Sequence, residues 1–205
     1  MKKIVLTAAA LAIVSVPAAA MAADGVYLKA NIGVGMAMDT DIDNMPAAAG
    51  TAKMTFDTGF VGTAAVGYDF ANPFRVEGEY LWQKNDLDRL SYNNLYGNFD
   101  QGDLKTQALM VNGYYDIDTG SAWTPFVGAG IGWAKLDLSA APQLDISDND
   151  DVFAYQFMGG VAYAINEQLS VDVQYRFFGT NDATIKGADF DFHSNDLMVG
   201  VRYNF

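Results

Sequence analysis

From Leu169 to Phe177 the chain reads LSVDVQYRF, with Leu169, Val171, Val173, Tyr175 and Phe177 on one parity and Ser170, Asp172, Gln174 and Arg176 on the other. Successive side chains of a strand point to opposite faces, so this stretch predicts a β-strand with one apolar and one charged face. Seven further segments show the same period. VYLKANIGVGM sets Val26, Leu28, Ala30, Ile32, Val34 and Met36 against Tyr27, Lys29, Asn31 and Gly33. FVGTAAVGYDF aligns Phe60, Ala64, Val66, Tyr68 and Phe70, and FRVEGEYLWQ opposes Phe74, Val76, Tyr80 and Trp82 to Arg75, Glu77, Glu79 and Gln83. TQALMVNGYYDI admits either phase; the favoured one puts Leu109, Val111 and Tyr115 outward and turns Asn112 and Asp116 inward. PFVGAGIGW sends Val127, Ala129, Ile131 and Trp133 one way and three glycines the other, while FAYQFMGGVAYAI aligns Phe153, Tyr155, Phe157, Val161, Tyr163 and Ile165. The last segment, NDLMVGVRYNF, sets Leu197, Val199, Val201, Tyr203 and Phe205 against Asp196, Gly200, Arg202 and Asn204.

The connections alternate in length. Those after the second, fourth and sixth segments are short, and those after the first, third, fifth and seventh are long. A tilted membrane strand takes about 9–11 residues, so eight strands and their loops account for the chain, whereas sixteen would leave almost nothing for connections. Short turns on one rim and long loops on the other are the habit of outer-membrane barrels. The fold class predicted is therefore all-β: an eight-stranded antiparallel transmembrane β-barrel with up-and-down meander topology.

In lipid every backbone N–H and C=O must pair within the protein, so strands span only as a closed barrel. Closure turns one parity toward hydrocarbon and encloses the other. The enclosed set expected is Lys29, Arg75, Glu77, Glu79, Asp172, Gln174, Arg176 and Arg202. An eight-stranded interior is only wide enough for side chains to fill, and a lone charge there is costly. The expectation is a polar network that pairs off and plugs the barrel. Gly128, Gly130 and Gly132 fit either as small partners for neighbouring bulk or as kinks that curve the sheet. Tyr68, Phe70, Tyr80, Trp82, Trp133, Tyr155, Tyr203 and Phe205 read as aromatic girdles at the membrane interfaces. A soluble sandwich or lipocalin-like barrel would place the polar parity outside and has no need of long loops on one rim only.

The first residues, MKKIVLTAAALAIVSVPAAAMAAD, join two lysines, a short apolar run and small residues around Ala20-Met21-Ala22. That is the layout of a cleaved secretory signal, expected over residues 1–22, with the barrel domain over 23–205. Cysteine is absent, which excludes a disulfide framework and a thiolate metal site. The formal charge of −13 argues against nucleic acid as a partner.

GVYLKANIGVG, TPFVGAGIGWA, YQFMGGVAYAINEQLSVDVQYRFF and the closing VGVRYNF together resemble the opacity-protein and OmpA-like eight-stranded outer-membrane barrels, of the outer membrane protein β-barrel domain or surface antigen type. The resemblance covers the whole chain after the signal. It implies residence in the outer membrane of a Gram-negative bacterium, among outer-membrane lipids and lipopolysaccharide. It further implies surface exposure and a role in adhesion, host interaction or envelope integrity; the expectation is a monomer with a structural or adhesive role whose loops reach a host or surface ligand. The ending that carries Tyr203 and Phe205 is similar to the signal by which the barrel-assembly machinery recognises its clients. A narrow channel and a lipid A-modifying enzyme are the alternatives.

Enzymatic chemistry finds little support. His193 and Ser194 are adjacent, and adjacent strand residues face opposite ways, so base and nucleophile are badly placed. No cofactor or metal is expected in the barrel. Asp39, Asp41 and Asp43 have the odd-position spacing of a calcium loop, but Asn44 and Gly50 stand where that loop needs Gly and Glu. The acidic loops read either as a divalent-cation site bridging to lipopolysaccharide phosphates or as a solvated surface.

Overall fold

The structure is a computed structural model that describes residues 25–38, 40–42, 52–56, 58–70, 72–92, 95–97, 103–139, 147–181, 183–185, 188–190 and 192–205. Side chains are described for 25–38, 58–70, 72–85, 105–136, 152–181 and 192–205. The signal segment expected over residues 1–22 lies outside the described residues, as do the side chains of the acidic loop residues.

Each alternating segment forms a strand: β1 (Val26–Ala37), β2 (Thr58–Asp69), β3 (Phe74–Tyr92), β4 (Asp103–Asp116), β5 (Trp123–Ser139), β6 (Ser147–Ala164), β7 (Leu169–Thr180) and β8 (His193–Asn204). Every strand pairs antiparallel with the next. The ladder closes where β1 meets β8, from Tyr27 opposite Asn204 to Ala37 opposite Ser194. The result is a closed eight-stranded up-and-down barrel, and closure leaves no edge whose backbone groups would face lipid unpaired.

The two faces invert the usual relation of hydropathy to exposure. Trp133 is 69% exposed on the outer surface, whereas the guanidinium-bearing Arg176 is 0% exposed inside. In the fourth strand Leu109, Val111 and Tyr115 face outward and Asn112 is buried, which settles the phase. Aromatic pairs mark both ends of the apolar band. Tyr68–Phe70, Phe74–Tyr115, Trp123–Tyr163 and Tyr203–Phe205 lie at the short-turn rim, with ring centroids between 4.7 and 5.3 Å apart. Phe60–Trp82 and the group Tyr155, Phe157, Phe177 and His193 lie at the other.

Each short turn is fixed by an Asx side chain that accepts backbone N–H bonds. Asn72 accepts from Phe74, Asp118 from Gly120, and Asn166 from both Gln168 and Leu169, at 2.8–2.9 Å. Gly120 takes φ of +65°, where a side chain would be strained. On the opposite rim the ladders run further than the membrane requires: β3 has 19 residues, β5 has 17 and β6 has 18. The short strands Thr40–Ile42 and Ala52–Phe56 pair with each other, and the second of them pairs with the outer part of β3. Segments expected to be loops are thus partly hairpin extensions. Beyond the hydrocarbon the apolar alternation lapses, yet the hydrogen-bond ladder continues because neither strand has a reason to part.

Candidate functional site: the enclosed side chains

The lumen is built in two layers. Toward the short-turn rim, charged side chains from five strands converge. Lys29 on β1 meets Asp172 on β7 at 3.3 Å and donates to Gln174 Oε1 at 3.2 Å. Arg75 on β3 bridges Glu77 at 2.7 Å and Asp116 at 2.8 Å, and Tyr27 donates its hydroxyl hydrogen to Glu77 at 2.8 Å. Arg202 on β8 stands 3.9 Å from Asp116 and donates to Ser170 Oγ at 3.3 Å. Tyr114 and Phe126 form an aromatic floor: the Arg75 guanidinium lies 4.0 Å from the Tyr114 ring centre, and Lys29 Nζ lies 5.2 Å from that of Phe126. Cations over ring faces are favoured by the ring quadrupole, most strongly when desolvated.

Further up, Arg176 pairs with Asp196 at 2.6 Å and approaches Glu79 at 3.8 Å. Gln156 donates to Glu79 at 2.9 Å and to Asn112 at 2.7 Å, tying β6 to β3 and β4 across the lumen. Several buried atoms lack a hydrogen-bond partner, among them Glu77 Oε2, Glu79 Oε2 and Gln174 Nε2. Above this level the interior is apolar: Leu81, Ala108, Met110, Ala134, Leu136, Val152, Ala154, Phe178 and Phe192 pack together. Gln83, Asn85 and Ser194 lie buried beside them, with Gln83 donating to Asn85 at 2.9 Å.

Of Lys29, Arg75, Glu77, Glu79, Asp172, Gln174, Arg176 and Arg202, seven are buried and Arg202 is half-buried, its side chain 16% exposed. The structure adds Tyr27, Asp116, Gln156 and Asp196 to their contacts. With Asp116 and Asp196 included, four cations face five carboxylates, so the interior is close to neutral. Small residues make the space. A Cβ on Gly128 would meet the Tyr114 ring, one on Gly130 would meet Asn112 Oδ1, and one on Gly200 would meet Asn31 and Asp172. The strand-five glycines therefore stand where neighbouring bulk needs room.

His193 and Ser194 face opposite ways. Ser194 is buried and sits 3.5 Å from Gln83 Oε1, while His193 lies on the outer surface, stacked on Phe177 and 3.2 Å from the Tyr155 hydroxyl. Tyr203 and Phe205 lie on the outer face at the short-turn rim with their rings in edge contact. Phe205 N–H donates to Val26 O at 3.1 Å, which joins the two ends of the barrel wall.

An apolar exterior around an enclosed charged interior, with aromatic bands at both ends, defines a transmembrane β-barrel. The chain belongs to the outer membrane protein beta-barrel domain family, whose pattern matches residues 6–205. It is 28% identical over 176 residues to the outer membrane protein PagN of Salmonella typhimurium, covering 71% of this chain and 73% of PagN. In fold it is similar to Neisserial surface protein A, with a TM-score of 0.64 at 21% identity over 89% of this chain and 98% of that one. It is similar also to the outer membrane protein OprG of Pseudomonas aeruginosa, with a TM-score of 0.61 at 17% identity over 89% and 97%. The protein resides in the outer membrane of a Gram-negative bacterium.

Proposed function

We propose that the protein is a non-enzymatic surface component whose barrel is a plugged anchor and whose long, acidic connections form the contact surface. The observation that carries this reading is the lumen: Lys29, Arg75, Arg176 and Arg202 each face a carboxylate, and the apolar layer lies over them. An interior of this width filled by paired side chains anchors a display surface better than it conducts. The separation of His193 from Ser194 onto opposite faces also supports a non-catalytic role. In this reading the protein acts as a monomer, the ending with Tyr203 and Phe205 is read by the assembly machinery, and the loops reach a structural or host-surface partner.

Single-channel recording of the folded chain in planar bilayers tests the plug. A flat baseline is expected, and steady openings would overturn it. Protease treatment of intact cells tests the orientation, with cleavage expected in the long connections and none in the turns at Asn72, Asp118 and Asn166.

A further inference from the structure

Arg176, Asp196 and Glu79 form a set within the charged layer that does not balance. Lower in the lumen Lys29 has Asp172, while Arg75 and Arg202 have Glu77 and Asp116, so no cation there is left over. Arg176 is engaged by Asp196, whose Oδ2 takes both Nε and Nη2 at 2.8 and 2.6 Å. Glu79 Oε1 stands 3.8 Å from Nη1, beyond hydrogen-bond length. The three residues are between 0 and 2% exposed, so one negative charge in excess is enclosed away from bulk water. A lone buried charge is costly, and proteins pair such a charge or set it on a metal ion.

Oxygens without a donor lie on this same set. Glu79 Oε1 accepts from Gln156 Nε2 at 2.9 Å, but Glu79 Oε2 accepts nothing. Gln156 directs its Nε2 at Glu79 and Asn112 and keeps a buried Oε1 with no donor, although the residue is 0% exposed. Turning the amide over would not help, since Oε1 would then face two acceptors, Glu79 Oε1 and Asn112 Oδ1. A carboxylate oxygen beside an amide oxygen, with an excess of negative charge, is a ligand set for a hard cation. A divalent ion would turn the excess into one positive charge, whereas a singly charged ion cancels it. Among the described residues no three His, Asp or Glu side chains gather as a multivalent ion would require. Asn112 Nδ2, also buried and unpartnered, is a donor suited to a water molecule in the ion's shell.

We propose that Glu79 Oε2 and Gln156 Oε1 bind a single alkali cation that completes the plug. The ion enters from the short-turn rim, where the Asp116 and Arg202 side chains are 18% and 16% exposed, because the apolar layer closes the other side. The site does not depend on whether the barrel conducts, which single-channel recording tests by itself.

The full chain is folded in detergent and unfolded in urea while sodium or potassium replaces choline step by step at fixed ionic strength. Choline screens the acidic surface as the alkali ions do, but it is too large for the site. Once the site is saturated, each tenfold rise in the alkali ion should lower the unfolding equilibrium constant about tenfold by linkage. Glu79→Gln removes the excess charge, leaves Arg176 with Asp196, and should abolish this dependence. Glu167→Gln, at an exposed turn position, should keep it. Stability that follows ionic strength alone, or an alkali dependence that survives Glu79→Gln, would overturn the assignment. If the glutamine variant does not fold, rubidium soaked into crystals of the unaltered chain decides: an anomalous peak in contact with Glu79 Oε2 supports the site, and a peak elsewhere or none overturns it.

Discussion

Arg176 and Asp196 stand directly opposite one another on β7 and β8, both fully buried, with the Arg176 Nη2 2.6 Å from Asp196 Oδ2 and Nε donating to the same oxygen at 2.8 Å. Glu79 comes to 3.8 Å from the same guanidinium, so one cation serves two carboxylates. Loss of one partner from a buried pair costs about 3–5 kcal/mol, because the other charge is left uncompensated. The two ends of this pair are therefore unequal. Arg176→Met strands both Asp196 and Glu79 and should fall at or above the upper end of that range. Asp196→Asn leaves Arg176 with Glu79 and should fall at or below the lower end. Equilibrium urea unfolding from lipid vesicles, followed by tryptophan fluorescence, measures the order, and a reversal would remove Glu79 from the network.

Gly67 lies beneath the Tyr27 ring, where an added Cβ would overlap the end of the ring that carries the hydroxyl. Gly67→Ala must displace Tyr27 from Glu77 and Arg75 and should cost about 1–3 kcal/mol by overpacking. Gly78 and Gly113 face outward with nothing within 4 Å of such an atom, so alanine there should be neutral within about 0.5 kcal/mol. The same unfolding measurement separates the two cases. Equal costs would mean that the tyrosine has room to move.

Val199 and Ile32 face each other on the outer surface halfway along β8 and β1, exposed by 53% and 58%. Val199→Arg should cost about 2–4 kcal/mol, the range for an arginine at the bilayer midplane of a barrel. The same change at Tyr203, at the end of the strand, should cost about 0–1 kcal/mol. Folding yields into vesicles, scored by heat-modifiable migration, check the contrast. A uniform penalty would place the hydrocarbon elsewhere.

Period two made the barrel legible in the sequence, because a closed wall between lipid and lumen obliges each strand to alternate. Asp172, Gln174 and Arg176 could be placed inside from LSVDVQYRF alone. The apolar upper lumen was not legible, since Leu81, Met110, Leu136 and Phe178 are inward residues whose type a two-sided reading assigns to lipid. Nor were the ends of β3, β5 and β6, where the backbone ladder runs on past the segments whose alternation marks them. Asp196 and Asp116 had the inward parity, but their partners Arg176 and Arg75 lie on other strands, and register across strands is not written in either segment.

The seam between β1 and β8 binds the first strand of the wall to the last, and Lys29 reaches past Gly200 on β8 to Asp172 on β7. Those contacts join stretches of the polypeptide that are made at opposite ends of synthesis. The seam cannot close until β8 has been made, and Lys29 and Asp172 come from strands separated by most of the chain, so these two long-range links are the last the wall can acquire.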